Sequence, residues 1–419
     1  MINVLKDFAW FLSVILTLYT GYFYLISLFS FLPRKKQTNS APRHRFSILI
    51  AARNEESVIG NLVDSLKQQD YPPELFDITV IPNNCTDGTR EAALAHGAGV
   101  FDCRRSIKSK GEALEEYFDR EGITGRYDAF CIFDADNIVD PGYLRAMNSA
   151  LAAGSRIAQG YRESKNPGDS FVSAAYSVYY YMVNRFFNRA RNRLGLSAMV
   201  NGSGFMVKAD LLEKMGGWHT KTMTEDIEFT TQCVLKGEKV DWVPEAVFYD
   251  EQPLTFAQSW HQRKRWSTGL IQGMQLYALP HFRRMLKGKA GSADMLQFYI
   301  APVMQILFSL LFLLDLVLNL LYIRHDYFPE TQIFNRMFLS LFWSYVLSTA
   351  TAALVVILEK KRKVLGGVFF YWLFIISWIP INIISLFRKQ TVWTPIAHTR
   401  SLGMDQILGN SRLPKKRSA

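Results

Sequence analysis

Cysteine is scarce, at 4 among 419 residues. None of Cys85, Cys103, Cys131 and Cys233 has a partner at metal-ligand spacing, so neither a zinc module nor a disulfide framework is expected, and the four read as free, mostly buried thiols. The glycine-rich Gly-x-Gly-x-x-Gly turn of a dinucleotide fold is also missing. Gly202-Ser203-Gly204 has no third glycine at that spacing, which argues against an oxidoreductase. Charge is missing from four long stretches: residues 8–31, 296–323, Met337–Leu358 and 364–387, with Asp315 the one charged residue among them. Each reaches the ~20 residues that a helix needs to cross a bilayer. The first is too long for a removed signal peptide and lacks the small-residue cleavage site.

The net charge of +11 could suggest nucleic acid. The basic residues instead flank the apolar stretches, as Arg34-Lys35-Lys36 with Arg43 and Arg45, and as Lys360-Lys361-Arg362-Lys363. That is the positive-inside pattern. It implies a multi-pass protein of the plasma membrane, in contact with lipid and not with nucleic acid, whose region from about 46 to 290 is cytoplasmic. Five divisions follow: 1–45, a membrane helix and basic linker; 46–254, a globular domain; 255–295, amphipathic interface helices; 296–387, membrane segments; and 388–419, a basic tail.

Between the membrane stretches, strands alternate with helices. Residues Phe46–Ala52 and 76–81 read as buried strands, and helices follow with apolar positions Val58, Ile59, Leu62 and Leu66, then at 90–96 and 112–118. Thr86 or Asp87 can cap the helix at 90–96. This rhythm predicts an α/β fold with a mostly parallel sheet. Phe130-Cys131-Ile132-Phe133-Asp134-Ala135-Asp136 is an apolar run that ends in two carboxylates. A strand buried on both faces that presents acids at its C-terminal end puts them where open α/β sheets bind ligands. Alternation along the strand should aim Asp134 and Asp136 the same way, at one hard cation such as Mg²⁺ or Mn²⁺, or at a cation and a sugar hydroxyl. Taken alone, the pair reads better as a strand followed by a solvated, Asp-rich turn.

Two further runs change that balance. Thr222-Met223-Thr224-Glu225-Asp226 opens a helix running to about Leu235, with Thr224 as its expected cap. Glu225 and Asp226 either complement the helix dipole or supply a general base. Trp260-His261-Gln262-Arg263-Lys264-Arg265-Trp266 lies on an amphipathic segment. It reads either as a cationic helix at the membrane surface or as a diphosphate clamp beside a sugar-stacking aromatic. The glycine-rich 199–206 is expected to let backbone approach a ligand.

Taken together, Asp134-Ala135-Asp136, Thr224-Glu225-Asp226 and Gln262-x-x-Arg265-Trp266, in this order between membrane helices, resemble the membrane-integrated family 2 glycosyltransferases: the cellulose, chitin and hyaluronan synthases and bacterial exopolysaccharide synthases. The resemblance covers residues 46–290. It implies a GT-A domain attached to an α-helical transmembrane region. It also implies a hexosyltransferase that polymerises a β-linked polysaccharide, with inversion, from a UDP-sugar such as UDP-glucose or UDP-N-acetylglucosamine, and moves the growing glycan across the membrane. By position, Asp134 and Lys110 resemble nucleotide contacts, Asp136 the Mg²⁺ or Mn²⁺ ligand, and Asp226, beside Glu225, the catalytic base. Arg265 resembles the diphosphate-binding arginine and Trp266 the aromatic at the acceptor sugar, with Gln262 of the same motif a further substrate-binding candidate. Where the family often has an aspartate against uracil, this chain has Asn83, which can still accept from the base N–H. Trp393 and His398 are candidates for a gating loop over the nucleotide, with an interfacial tryptophan anchor as the alternative. The partners implied are the UDP-sugar, the glycan acceptor, the bilayer, and an accessory membrane subunit or a second copy. The rival readings are a transferase adding a single sugar to a lipid, and a scaffold descended from a transferase.

Topology sets one conflict. A fourth crossing by 364–387 would put the tail outside, yet the tail carries seven basic residues, from Arg388 to Arg417, against Asp405 alone. Gly366-Gly367 and Pro380 can break a helix. A re-entrant or interfacial hairpin bending near Trp378-Ile379-Pro380 is therefore expected, against the alternative of a straight fourth helix with an external tail.

Overall fold

A computed structural model describes residues 2–33, 38–120, 122–324, 330–387 and 402–408. Its centre is an eight-stranded mixed sheet with strands β1 (Phe46–Ala52), β2 (Phe76–Pro82), β3 (Gly99–Val100), β4 (Ala129–Asp134), β5 (Ile138–Val139), β6 (Ile157–Ser164), β7 (Phe205–Lys208) and β8 (Asp241–Asp250). Their order is β3-β2-β1-β4-β7-β6-β8-β5. The β3-β2-β1-β4 half is wholly parallel, β7 runs antiparallel to both β4 and β6, and β8 runs parallel to β6.

Alternation along the central strands explains the layers. Ile48, Ile50, Cys131 and Phe133 join one core with the helices Glu56–Lys67 and Tyr143–Ala152. Leu49, Phe130 and Ile132 join the other, which takes in Leu114 and Tyr117 of the helix Lys110–Phe118 and Tyr176 of the helix Phe171–Met182. The second core does not stop at the globular domain. It continues without interruption into Ala352, Val355, Val364, Val368 and Tyr371.

Four described helices are long and apolar enough to cross a membrane: Asn3–Phe31, Ala301–Leu321, Met337–Leu358 and Arg362–Phe387. Two expectations need correction in detail. The stretch 296–323 is not one helix, because Ala290–Tyr299 ends at Ile300 before Ala301–Arg324 begins. The last segment is two helices, Leu365–Ile376 and Trp378–Phe387, that meet at Ser377, one residue before the expected bend.

Buried polar contacts tie these helices to the globular domain. Arg191 makes a two-pronged bond to Asp294 (2.9 and 2.9 Å), which also accepts from Tyr22 of the N-terminal helix (2.6 Å). The loop after Met337–Leu358 is held by Glu359, which accepts from Tyr161 (2.9 Å) and Arg185 (2.8 Å), and by Lys361, which pairs with buried Glu163. The tail candidates Trp393 and His398 lie outside the described residues.

Candidate functional site

A cavity of about 460 Å³ opens at the C-terminal ends of β1, β2, β4, β6 and β8 and runs down to the helices Ala301–Arg324 and Trp378–Phe387. Its wall brings together Asn83, Lys110, Asp134, Asp136, Glu225, Asp226, Gln262, Arg265 and Trp266, all nine of the described residues singled out from sequence.

Asp134 ends β4, but Asp136 does not share its strand. It sits in the following turn, where Asn137 N–H donates to the Asp134 carbonyl (3.2 Å). Strand alternation is therefore not what brings the two acids to one cavity; the turn is. Asp134 accepts from Lys110 Nζ, which also donates to the Gly202 carbonyl (2.7 Å). Ser109 places that lysine by capping its helix, its Oγ accepting from Glu112 N–H (3.2 Å). Burial alone would raise the Asp134 pKa, but Lys110, Arg162 and Arg265 hold it below the usual carboxylate range. Burial alone would lower the Lys110 pKa, but Asp134, Glu225 and Asp226 raise it. Asp136 is buried, and its carboxylate accepts from Asn137 Nδ2 (3.1 Å) and Glu251 N–H (3.3 Å).

Asp226 lies in the first turn of the helix Glu225–Leu235. Thr224 occupies the cap position, but its hydroxyl makes no capping bond, contrary to expectation. The loop is fixed instead by Glu228, whose carboxylate accepts from Lys221 N–H (2.7 Å) and Thr222 N–H (2.6 Å). Burial, and then the neighbouring Glu225 carboxylate, push the Asp226 carboxyl well above its ordinary pKa. The long helix Phe256–Met285 comes close at Gly269, where a Cβ would lie 2.5 Å from Thr224 Oγ1. That approach brings Arg265 and Trp266 to the same cavity wall.

Gly202 sits between the acids. A Cβ there would lie 3.6 Å from Asp226 and 3.8 Å from Asp134, and its φ of +80° is one that glycine adopts readily. Asn83 is buried, and its Oδ1 has no partner among the described residues. Asp87 is no part of the wall: it accepts from Thr89 N–H (3.2 Å) and Glu56 N–H (3.1 Å), a structural role at the start of the helix Thr89–Ala95.

Several wall residues escaped the sequence reading. Arg162 donates to Asp250 through Nε (3.1 Å) and to the Asn201 carbonyl (2.7 Å), and lies 4.1 Å over the Tyr180 ring. Asp250 closes β8 as Asp134 closes β4, and burial leads its pKa up to about 6 against the opposing pull of Arg162. A charged pair inside a fully buried strand, Arg162-Glu163, was the available signal. Tyr179 and Trp378 stack on Trp266 at 6.4 and 6.3 Å between centroids, so its ring is part of an aromatic group and not an isolated platform. Val183 and Phe187 reach the wall from a π-helical turn, Val183–Arg189, a form that recurs at functional sites. Among the described residues, no group of three His, Cys, Asp or Glu is arranged to hold a metal.

A family model described as "Glycosyltransferase like family 2" matches residues 42–269. The chain belongs to glycosyltransferase family 2. Among curated proteins it is 29% identical over 279 residues to beta-monoglucosyldiacylglycerol synthase of Nostoc sp., covering 61% of this chain and 56% of that protein. The chain thus spans little more than half the length of this relative. It is 23% identical to poly-beta-1,6-N-acetyl-D-glucosamine synthase of Staphylococcus epidermidis, over 80% of each chain. Among solved structures, the mannosyltransferase PcManGT from Pyrobaculum calidifontis, in complex with GDP-Man and Mn²⁺, matches with a TM-score of 0.60 at 16% identity, covering 92% of this chain and 100% of that one. At that identity the match shows the fold, which is GT-A joined to a helical C-terminal region.

Proposed function

We propose that the protein transfers a sugar, with inversion, from a nucleotide-diphosphate sugar held at the sheet edge to an acceptor that arrives from the membrane side. The observation that carries this reading is the single cavity that joins Lys110, Asp134, Asp226 and Arg265 to the helices Ala301–Arg324 and Trp378–Phe387. Asp226, with its raised pKa, takes the proton from the acceptor hydroxyl. The acceptor oxygen bonds to the anomeric carbon, the bond to the diphosphate breaks, and the nucleoside diphosphate leaves with the electron pair. Arg265 and Lys110 stabilise the charge that gathers on it. Inversion of an α-linked donor gives a β-linkage. The orphan Oδ1 of Asn83 is an acceptor suited to the N–H of uracil, which favours UDP.

A divalent cation fits this wall. It carries seven carboxylates, of Glu55, Asp134, Asp136, Glu225, Asp226, Asp250 and Glu251, against four cations, of Arg53, Lys110, Arg162 and Arg265. Such a surface repels a diphosphate without further positive charge. Asp136, together with Asp134, offers hard oxygen ligands, and Mg²⁺ or Mn²⁺ commonly takes one or two carboxylates and completes its shell with phosphates. When bound, the ion neutralises charge on the diphosphate.

The acceptor is read as a growing β-linked glycan, in a chain whose globular domain faces the cytoplasm. The aromatic faces of Tyr179, Tyr180, Trp266 and Trp378 suit sugar rings, and the polysaccharide-synthase relative matches over 80% of both chains. A second reading, one sugar added to a membrane lipid, is favoured by the apolar deep end, where Phe187, Leu270, Phe298, Ala301 and Pro302 line the wall. Calorimetric titration of the purified protein with UDP and GDP, each with Mn²⁺ or EDTA, tests the donor site. UDP should bind in a metal-dependent way and lose affinity in Arg265→Met. Equal binding in EDTA, or no effect of Arg265→Met, contradicts the assignment.

A further inference from the structure

Arg263 stands two residues before Arg265, yet it does not line the cavity. It is fully buried, at 0% exposure, and no carboxylate among the described residues pairs with it. Its Nη1 donates to the Phe374 carbonyl (2.8 Å) and the Ser377 hydroxyl (2.7 Å), and its Nε to the Ser259 carbonyl (3.4 Å). The guanidinium lies 4.3 Å over the Phe374 ring and 5.5 Å from that of Trp378. Burying a cation without a counter-ion is costly, so a hydrophobic residue of similar length would serve simple packing better.

These contacts fall on the break between Leu365–Ile376 and Trp378–Phe387. Pro380 has no N–H, so the Ile376 carbonyl lacks its helical donor. Breaks of this kind at membrane depth persist where protein supplies other partners. Ser377 donates its hydroxyl to the Phe374 carbonyl (2.7 Å), and the Arg263 guanidinium bonds both groups from the neighbouring helix. Trp378 is the first residue after the break. It lines the cavity and stacks on Trp266 at an interplanar angle of 23°.

We infer that Arg263 is a positioning residue: by tying the helix Phe256–Met285 to the break at Phe374 and Ser377, it fixes Trp378 against Trp266 as the acceptor end of the cavity. The inference rests on the sugar-transfer reading, which defines that end. Without the guanidinium, the break loses its link to this helix and Trp378 loses its fixed register with Trp266. Of the donor end, Asn83, Lys110 and Asp134 are built on other elements, and Arg265, on the same helix as Arg263, keeps its place through the close approach of that helix to Thr224 at Gly269, so the donor end is left as it was.

The test uses the full chain in lipid nanodiscs, labelled with 5-fluorotryptophan. Fluorine resonances of Trp378 and Trp266 are assigned by Trp378→Phe and Trp266→Phe, with Trp218, packed at 4.2 Å on Phe229, as internal reference. Arg263→Met and Ser377→Ala should each shift or broaden the Trp378 and Trp266 signals and leave that of Trp218. Activity is read in native membranes, which supply the acceptor, with UDP-glucose and UDP-N-acetylglucosamine as donors. Incorporation should fall by about tenfold or more, the scale of a misplaced reactant, while donor hydrolysis stays within about twofold. Arg263→Gln, which keeps one donor for the Phe374 carbonyl, should recover part of the loss. Adding Arg263→Met to Trp378→Ala should cost nothing further. An unmoved Trp378 signal, a parallel loss of hydrolysis, or a fully multiplicative double variant overturns the inference. Should Arg263→Met fail to fold, Ser377→Ala carries the same test with the charge in place. If the wild type neither incorporates nor hydrolyses sugar, the transfer reading fails, while the fluorine spectra still decide the positioning.

Discussion

Asp226→Asn keeps the shape of the side chain and removes its ability to take a proton. A positioned general base typically contributes ~10²–10⁴-fold. At ~1.4 kcal/mol per decade, that is ~3–5.5 kcal/mol of barrier. The loss should fall on turnover and spare donor affinity, because Lys110, Asp134 and Arg265 remain in place. The pH profile gives a second handle. As the proposed base, Asp226 must be deprotonated to work, so activity should be lost as pH falls through its pKa. Burial and Glu225 raise that pKa, so the acid limb should lie well above the ~3.9 of an unperturbed aspartate. Glu225→Gln removes the second cause and should move the limb to lower pH, whereas Asp226→Asn should have no such limb. The assay is release of nucleoside diphosphate from a sugar donor in nanodiscs, across acid and neutral pH. Turnover of Asp226→Asn within about tenfold of wild type, or a limb unmoved by Glu225→Gln, would refute the base assignment.

Other consequences follow from the same contacts. Asp136→Ala should abolish metal-dependent UDP binding in calorimetry, and EDTA should reproduce the loss in the wild type; full activity in EDTA contradicts this. Asp294→Asn leaves Arg191, whose side chain is 1% exposed, without its carboxylate, and should cost about 3–5 kcal/mol. It should appear as a lower thermal midpoint in detergent at fixed scan rate, largely restored by the apolar pair Arg191→Met with Asp294→Leu. A cysteine placed at Ser418 should resist an impermeant thiol reagent in intact cells and react after lysis, as a cytoplasmic tail requires; labelling in intact cells would place the tail outside.

The parts of the fold that were legible in sequence are those written in local pattern. The buried strands Phe46–Ala52 and Ala129–Asp134 announce themselves by apolar runs, broken in the first only by Ser47, and the candidate membrane helices by length and composition. Asp134, Asp226 and Arg265 were legible because each belongs to a short motif. Other features depend on tertiary contact. The turn carrying Asp136 looks in sequence like a continued strand. Thr224 looks like a cap, but its hydroxyl makes no capping bond and lies against Gly269 of the helix Phe256–Met285. Arg162 and Asp250 come from strands far apart in the chain and meet because β6 and β8 pair side by side. Arg263 reads as one more charge on a cationic helix until the break at Ser377 is seen beside it.

The most direct measurement of the central claim is transfer itself. The purified protein, in nanodiscs made from native membrane lipids, is given UDP-glucose, UDP-N-acetylglucosamine and GDP-mannose labelled in the sugar, with Mg²⁺ or Mn²⁺. The account predicts that a UDP-sugar yields nucleoside diphosphate and a β-linked product in equal amounts, that both vanish in Asp226→Asn, and that the product grows in length with time. A product that stays at one added sugar would select the lipid-acceptor reading over the polymer. No nucleotide release from any donor with either metal, or an α-linked product, would contradict the account.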